Sequence, residues 1–248
     1  MLEDHPVTAD PTEIRSGTEL PARREDIELH TDDGVTLVGE LALPISRPPV
    51  ATIVALHPLP THGGFMDSHV LRKASLRLPA LADLAVLRFN FRGVTSPRGT
   101  SGGSFGEGVL EQHDLAAAMR FVADRGLPHP WLVGWSFGTE VAIKYGLQHP
   151  IDGAILLSPP LHRATSEELA AWAGSGKRLV AVVPELDDFL RPAEARREFS
   201  VVPETEFIAV EAGRHLWVGE TQTSRVLNEI VARLNPAAVP LPTTWSGA

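Results

Sequence analysis

Short apolar runs that recur between helical patterns constrain this chain more than any other feature. Residues 51–56 form the first, residues 85–91, 131–135, 154–157 and 179–183 repeat it, and residues 205–210 form a weaker one. A run that is apolar at nearly every position, rather than at every second one, belongs to a strand covered on both faces. Between the runs, apolar residues fall at helical spacing in 70–84, 110–125, 137–148, 166–173, 193–199 and 224–234. Leu115, Met119 and Val122, for example, share one side of a helix. Regular alternation of strand and helix implies an α/β fold. Its core is a mainly parallel, twisted sheet of about eight strands with helices on both faces.

Residues 25–44 read differently. Ile27 and Leu29 alternate with polar neighbours, Asp32-Asp33-Gly34 supplies a turn, and alternation resumes as far as Leu43. This is the pattern of an antiparallel hairpin with one wet face. The chain then divides into an N-terminal arm (1–24), one α/β domain (25–235) and a Pro-containing tail (236–248). The arm is ordered only where something docks it, and the tail is expected to be mobile unless Trp245 anchors it.

Composition narrows the function. Asp and Glu outnumber Lys and Arg by 31 to 22, and a net charge of −9 opposes nucleic-acid binding, which needs clustered cations. Cysteine is absent, which excludes disulfides, thiolate metal sites and a thiol nucleophile. His57 and His62 lack further ligands at metal spacing, so no metal or cofactor is expected. Residues 1–16 have no basic start leading into an apolar run. No stretch approaches about 18 consecutive apolar residues. Neither a leader nor a membrane span is expected, and the cytoplasm is the expected compartment. Nothing in the sequence sets the oligomeric state.

Residues 131–138 read Trp-Leu-Val-Gly-Trp-Ser-Phe-Gly: an apolar strand runs into Gly134-x-Ser136-x-Gly138, and a helical pattern follows. A sharp strand-to-helix turn lifts the Ser136 hydroxyl out at the end of the sheet, and the glycines leave room where the elements crowd. A serine nucleophile needs a base, and in this arrangement the chain order is Ser, acid, His. Only His149, His162 and His215 follow Ser136. His149 stands at a helix end before Pro150, and His162 comes before any suitable acid strand. His215 lies just past the weak strand, where the base must stand. The acid should follow the 179–183 run, which makes Asp187 the choice and Asp188 the alternative. The oxyanion hole needs two backbone N–H groups. Phe137 supplies one; in His57-Pro58-Leu59-Pro60 proline has none to give, so Leu59 supplies the other, with Thr61 behind it. His57 is expected to pack and hydrogen-bond so as to fix this loop.

Arg88 and Arg92 are expected to pair with local carboxylates. The Gly-rich stretch 99–108 does not follow its strand directly and lacks a Gly-Lys-Ser or Gly-Lys-Thr element, so it reads as a flexible loop bordering the pocket rather than a phosphate cradle. The segment 161–176 is too short for a large cap domain. The pocket is therefore expected to be open, with Phe65, Trp135 and Trp217 as walls.

Together these residues resemble the α/β-hydrolase superfamily. They are similar in particular to small bacterial hydrolases with His-Pro-x-Pro followed by Gly-Gly-x-Met (57–66 here), Arg-Phe-Asn-Phe-Arg-Gly-Val (88–94) and a Gly-x-Ser-Phe-Gly elbow. The resemblance spans about residues 25–235 and implies an α/β-hydrolase fold with Ser136, Asp187 and His215 as triad. Pro184 stands where the family's acid segment usually has Gly. The implied activity is a serine hydrolase on a small-molecule acyl substrate, with short-chain carboxylic esters first. A thioesterase, peptidase or C–C bond hydrolase would use the same parts, and a silent binding protein of this fold would keep them idle.

Overall fold

The structure, a computed structural model, describes residues 11–247. One sheet contains eight strands: β1 (Arg23–His30), β2 (Thr36–Leu43), β3 (Ala51–Leu56), β4 (Leu84–Phe89), β5 (Pro130–Trp135), β6 (Gly153–Leu157), β7 (Arg178–Pro184) and β8 (Glu206–Val210). In space they run β8-β7-β6-β5-β3-β4-β2-β1. β1 and β2 form the hairpin around Gly34, β2 lies antiparallel to β4, and every other pairing is parallel. Both the mainly parallel sheet and its antiparallel opening hairpin match the sequence expectation.

Six helices flank it: α1 (His69–Ala82), α2 (Glu111–Asp124), α3 (Phe137–Tyr145), α4 (Ser166–Ala170), α5 (Pro192–Glu198) and α6 (Glu220–Leu234). The period-2 alternation of each strand sends its side chains to two separate cores. In β3, Ile53 and Ala55 pack with Val70, Leu71 and Leu78 of α1 and Val226 and Ile230 of α6. Val54 and Leu56 point the other way, toward Leu115 and Met119 of α2 and Val141 of α3. No cap intervenes between β6 and β7; α4 has five residues.

Some boundaries moved. The helix expected to reach residue 84 stops at Ala82, because Asp83 turns left-handed (φ 49°) and Leu84 already begins β4. Aspartate tolerates that conformation better than most side chains. Helix α6 begins at Glu220 rather than 224; its first turn carries mostly polar residues and so lacked an apolar period. The arm and tail dock on each other. Thr12–Glu13 pairs antiparallel with Thr244–Trp245, Ile14 and Leu20 are buried, and the Leu241 N–H donates to Asn228 Oδ1. The expected mobility of the tail therefore gives way to Trp245 as an anchor; residues 1–10 of the arm lie outside the described residues. Segment 99–108, expected to be flexible, is pinned. The Ser101 hydroxyl bonds Asn90 O and the Val38 N–H, and the Gly102 N–H donates to Thr36 O.

Both arginines of the 88–94 motif are buried and paired. Arg92 meets Asp114 at 2.8 Å and Asp33 at 2.7 Å. Arg88 meets Glu40 at 2.7 Å, bonds Asp67 as well, and both Arg88 and Glu40 are nearly inaccessible. Burial alone would raise the Glu40 carboxyl, but the Arg88 charge and hydrogen bond, the Ser75 hydroxyl and the Arg98 charge together outweigh it and hold it below its ordinary value. Removing Arg88 takes from Glu40 its one fully buried cationic partner and leaves it to Arg98 (2.7 Å) and Arg24 (3.6 Å), which are partly exposed. Arg88→Ala should therefore lower stability by up to about 3–5 kcal/mol, the cost of a buried charge that loses its partner. Arg47→Ala, which breaks an exposed pair with Asp83, should cost about 1 kcal/mol or less. Urea unfolding of the two variants checks the contrast; equal losses would mean that Arg88 carries no electrostatic weight.

Candidate active site

The site begins where β5 meets α3. Ser136 caps α3 with φ 51° and ψ −117°, a conformation L-residues rarely hold. The glycines around it are steric requirements. A Cβ on Gly134 would stand 2.5 Å from Gly138 O, and one on Gly138 would stand 2.0 Å from Leu56 O. The strained turn is held by the Ser136 N–H on Leu157 O (2.9 Å) and the Thr139 N–H on Ser136 O (2.9 Å). Ser136 ends half-buried at the carboxyl edge of the sheet.

The structure brings three of the singled-out side chains together. The Ser136 hydroxyl lies 2.9 Å from His215 Nε2, and His215 Nδ1 lies 3.0 and 3.1 Å from the two Asp187 oxygens. A carboxylate only accepts, so Nδ1 carries the proton and Nε2 is left to accept from Ser136. Asp187 is buried and also accepts the Phe189 N–H (2.8 Å) and the Leu190 N–H (3.3 Å). Asp188 is exposed and outside this chain of bonds. Pro184 leaves the register intact. It pairs with Val210 at the end of β7, and its carbonyl accepts the Asp187 N–H (3.2 Å).

The backbone N–H groups of Leu59 and Phe137 donate to no group among the described residues, as expected of donors kept for a ligand. Phe137 is the first residue of α3, where helix N–H groups are unsatisfied by geometry. The Leu59 loop is rigid. Leu59 O accepts the His62 and Gly64 N–H groups, and a Cβ on Gly64 would stand 2.1 Å from Pro58 O. His57 locks the loop to the strand beside it: its Nδ1–H donates to Pro58 O (2.7 Å), and its Nε2 accepts the Phe91 N–H (3.0 Å). Complete burial pushes the His57 pKa down to about 4, so the ring stays neutral and keeps this tautomer.

An open cavity of about 510 Å³ lies against the same loop. Pro60, Thr61, Phe65, Val94, Ser96 and Phe105 are among its walls, and no charged side chain lines it. Ser136 is not itself on those walls, but Phe105 packs edge-on against Phe137, with ring centroids 5.3 Å apart. Phe65 lines this cavity. Trp135 and Trp217 do not: they are 2% and 0% exposed and belong to the core under α1 and α6. Strand alternation is the reason for Trp135, since Trp131, Val133 and Trp135 all point to that face. Sequence reasoning missed Phe189, whose ring packs on His215 at 4.5 Å. It also missed the donors on the His215 carbonyl, Trp135 Nε1 and Ser158 Oγ, both at 3.1 Å. No spacing rule points to contacts this distant in sequence. Among the described residues, no group of three or more His, Asp or Glu side chains is placed to hold a metal ion.

No family model matches the chain, and no curated protein matches it significantly. Solved structures do. An α/β serine hydrolase homologue from Coxiella burnetii superposes with a TM-score of 0.71 at 25% identity, over 84% of this chain and 96% of that one. A lidless α/β serine hydrolase from Xanthomonas campestris gives 0.70 at 23% identity, over 91% and 100%. An esterase from Pyrococcus furiosus gives 0.72 at 19% identity, over 96% and 100%. Its strand order and hairpin edge, shared with these neighbours, give the chain the α/β-hydrolase fold.

Proposed function

We propose that the protein is a serine hydrolase of small, uncharged acyl compounds, with short-chain carboxylic esters as its substrates. The observation that carries the reading is the unbroken chain from Asp187 through both nitrogens of His215 to the Ser136 hydroxyl, set on a strained turn. In this reading His215 Nε2 takes the Ser136 proton as Oγ attacks the carbonyl carbon. Asp187 keeps the imidazole in the required tautomer and offsets the positive charge that develops on it. The N–H groups of Phe137 and Leu59 receive the oxyanion of the tetrahedral intermediate. His215 returns the proton to the leaving alcohol, and water activated by the same ring then hydrolyses the acyl-enzyme.

Esters are favoured by two further facts. The cavity walls carry hydroxyls and aromatic rings but no charge. One of the structural neighbours is an esterase and another a lidless serine hydrolase. Among the described residues no helix is long and apolar enough to cross a membrane. We assign the enzyme to the cytoplasm on its sequence alone.

A fluorophosphonate probe should label Ser136 stoichiometrically, and S136A should neither label nor turn over p-nitrophenyl esters. Intact-mass measurement and peptide mapping read this directly, and modification of another serine, or of none, would remove the hydrolase reading.

The two aspartates separate by rate. Asp187→Asn should lower kcat by a factor on the order of 10⁴, as loss of the required tautomer does in other triads. Asp188→Asn should change it little, since Asp188 is exposed and lies outside the bonded chain. The reverse order would move the acid role to Asp188.

Acyl-chain preference follows from the open cavity. Each methylene that is fully buried contributes about 0.8 kcal/mol, and without a cap a long chain stays largely wet. A p-nitrophenyl ester series should therefore peak at about two to six acyl carbons, because without a cap further methylenes gain little burial. A kcat/KM that climbs steadily with longer chains would show that another segment closes over the site.

A further inference from the structure

His215 stands on a segment with little support of its own, a turn closed by the Trp217 N–H on Arg214 O (2.9 Å). Between the end of β8 and the start of α6 the chain has no regular structure, and Ala212, Trp217 and Gly219 all have positive φ (53°, 50° and 97°). Such a segment keeps one conformation only if its surroundings over-determine it. Its carbonyls show how that is done. Gly213 O accepts the Leu186 N–H. His215 O accepts Trp135 Nε1 and Ser158 Oγ, both at 3.1 Å, and Leu216 O accepts His69 Nε2 at 2.7 Å.

Two of these donors are a pair. The His69 and Trp135 rings meet edge to face, centroids 5.2 Å apart at 88°, and their N–H groups grip the carbonyls of two successive residues. The pair bridges the two elements that flank the site. Trp135 ends β5, one residue before Ser136, and His69 begins α1. The rest of the α1 face continues the grip. Lys73 and Arg77, four and eight residues beyond His69, both bond Glu220, the first residue of α6. Side chains at this spacing lie on one side of a helix. His69, Lys73 and Arg77 thus hold the segment 216–220 along one edge of α1.

We infer that His69 and Trp135 form a two-donor clamp that sets the position of the His215 imidazole against Ser136. The inference rests on the reading of His215 as the base. His69 hydrogen-bonds to neither Ser136 nor the His215 ring; it acts through the Leu216 carbonyl and is a positioning residue. A carbonyl only accepts, so His69 Nε2 carries a proton, and an amide N–H can replace it.

The test compares His69→Phe, which keeps a ring and loses the donor, with His69→Gln, which loses the ring and keeps a donor. In H69F, kcat for p-nitrophenyl butyrate should fall about five- to tenfold, the scale of one hydrogen bond's net contribution, with KM within about twofold. Fluorophosphonate labelling of Ser136 should slow by the same factor, H69Q should recover most of the loss, and W135F should behave like H69F. Thermal melts establish that each variant is folded at the assay temperature. Should H69F fail to fold, W135F and H69N, whose amide is too short to reach Leu216, carry the same comparison. A folded H69F with wild-type kcat overturns the clamp, as does a folded H69Q as slow as H69F. A wild-type protein that neither labels nor turns over ester fails at the hydrolase reading instead, and the clamp falls with it.

Discussion

The site depends on one close approach, that of the first turn of α3 to the neighbouring strand β3. Gly138 sits so near Leu56 O that a single added carbon would stand 2.0 Å from it. This approach lets the chain leave β5 and enter α3 without an intervening loop, and it pushes Ser136 into its positive-φ conformation. It also brings the unsatisfied N–H groups at the start of α3 alongside the loop that follows β3. The candidate nucleophile and both candidate oxyanion donors are therefore consequences of how closely one helix and one strand can pack.

What surrounds that approach is rigid in two different ways. On the β3 and β4 side, the rigidity is polar. Neutral His57 bridges Pro58 O and the Phe91 N–H, and Asn90 Oδ1 accepts the Met66 N–H at 2.9 Å. Arg88 joins Glu40 to Asp67 beneath them. On the side of His215 and Asp187, side chains from the strand ends and α1 hold backbone carbonyls. In both cases the groups that would contact a substrate are not the groups that hold the structure.

Much of this was legible in the sequence, for a physical reason. Strands buried on both faces must be apolar throughout, so the runs at 51–56, 131–135 and 179–183 declare themselves without any partner in view. The elbow is equally local, because its glycines answer clashes within a few residues. Contacts that depend on which face a residue shows were not legible. Trp135 looked like a pocket wall beside Ser136, yet alternation along β5 turns it to the α1 side, where its N–H finds His215 O. Docking of the tail was equally hidden. The N–H of Ile14 finds Thr243 O across the whole length of the chain, and no periodicity encodes such a meeting.

That ribbon between Thr12–Glu13 and Thr244–Trp245 has a meaning for the order of assembly. Two residue pairs contribute little binding energy, and the loop they close is nearly the entire chain. Closing so long a loop from a disordered ensemble would cost more than two pairs return, since closure entropy grows with the logarithm of loop length, and the contacts that flank the ribbon, Leu20 N–H on Leu76 O and Leu241 N–H on Asn228 Oδ1, need α1 and α6 already formed. The ribbon becomes affordable only after the sheet, α1 and α6 have already delivered both ends to the same place. The junction of the termini is thus the last part of the chain to close and the first to open. It reports on the integrity of the whole sheet from a distance.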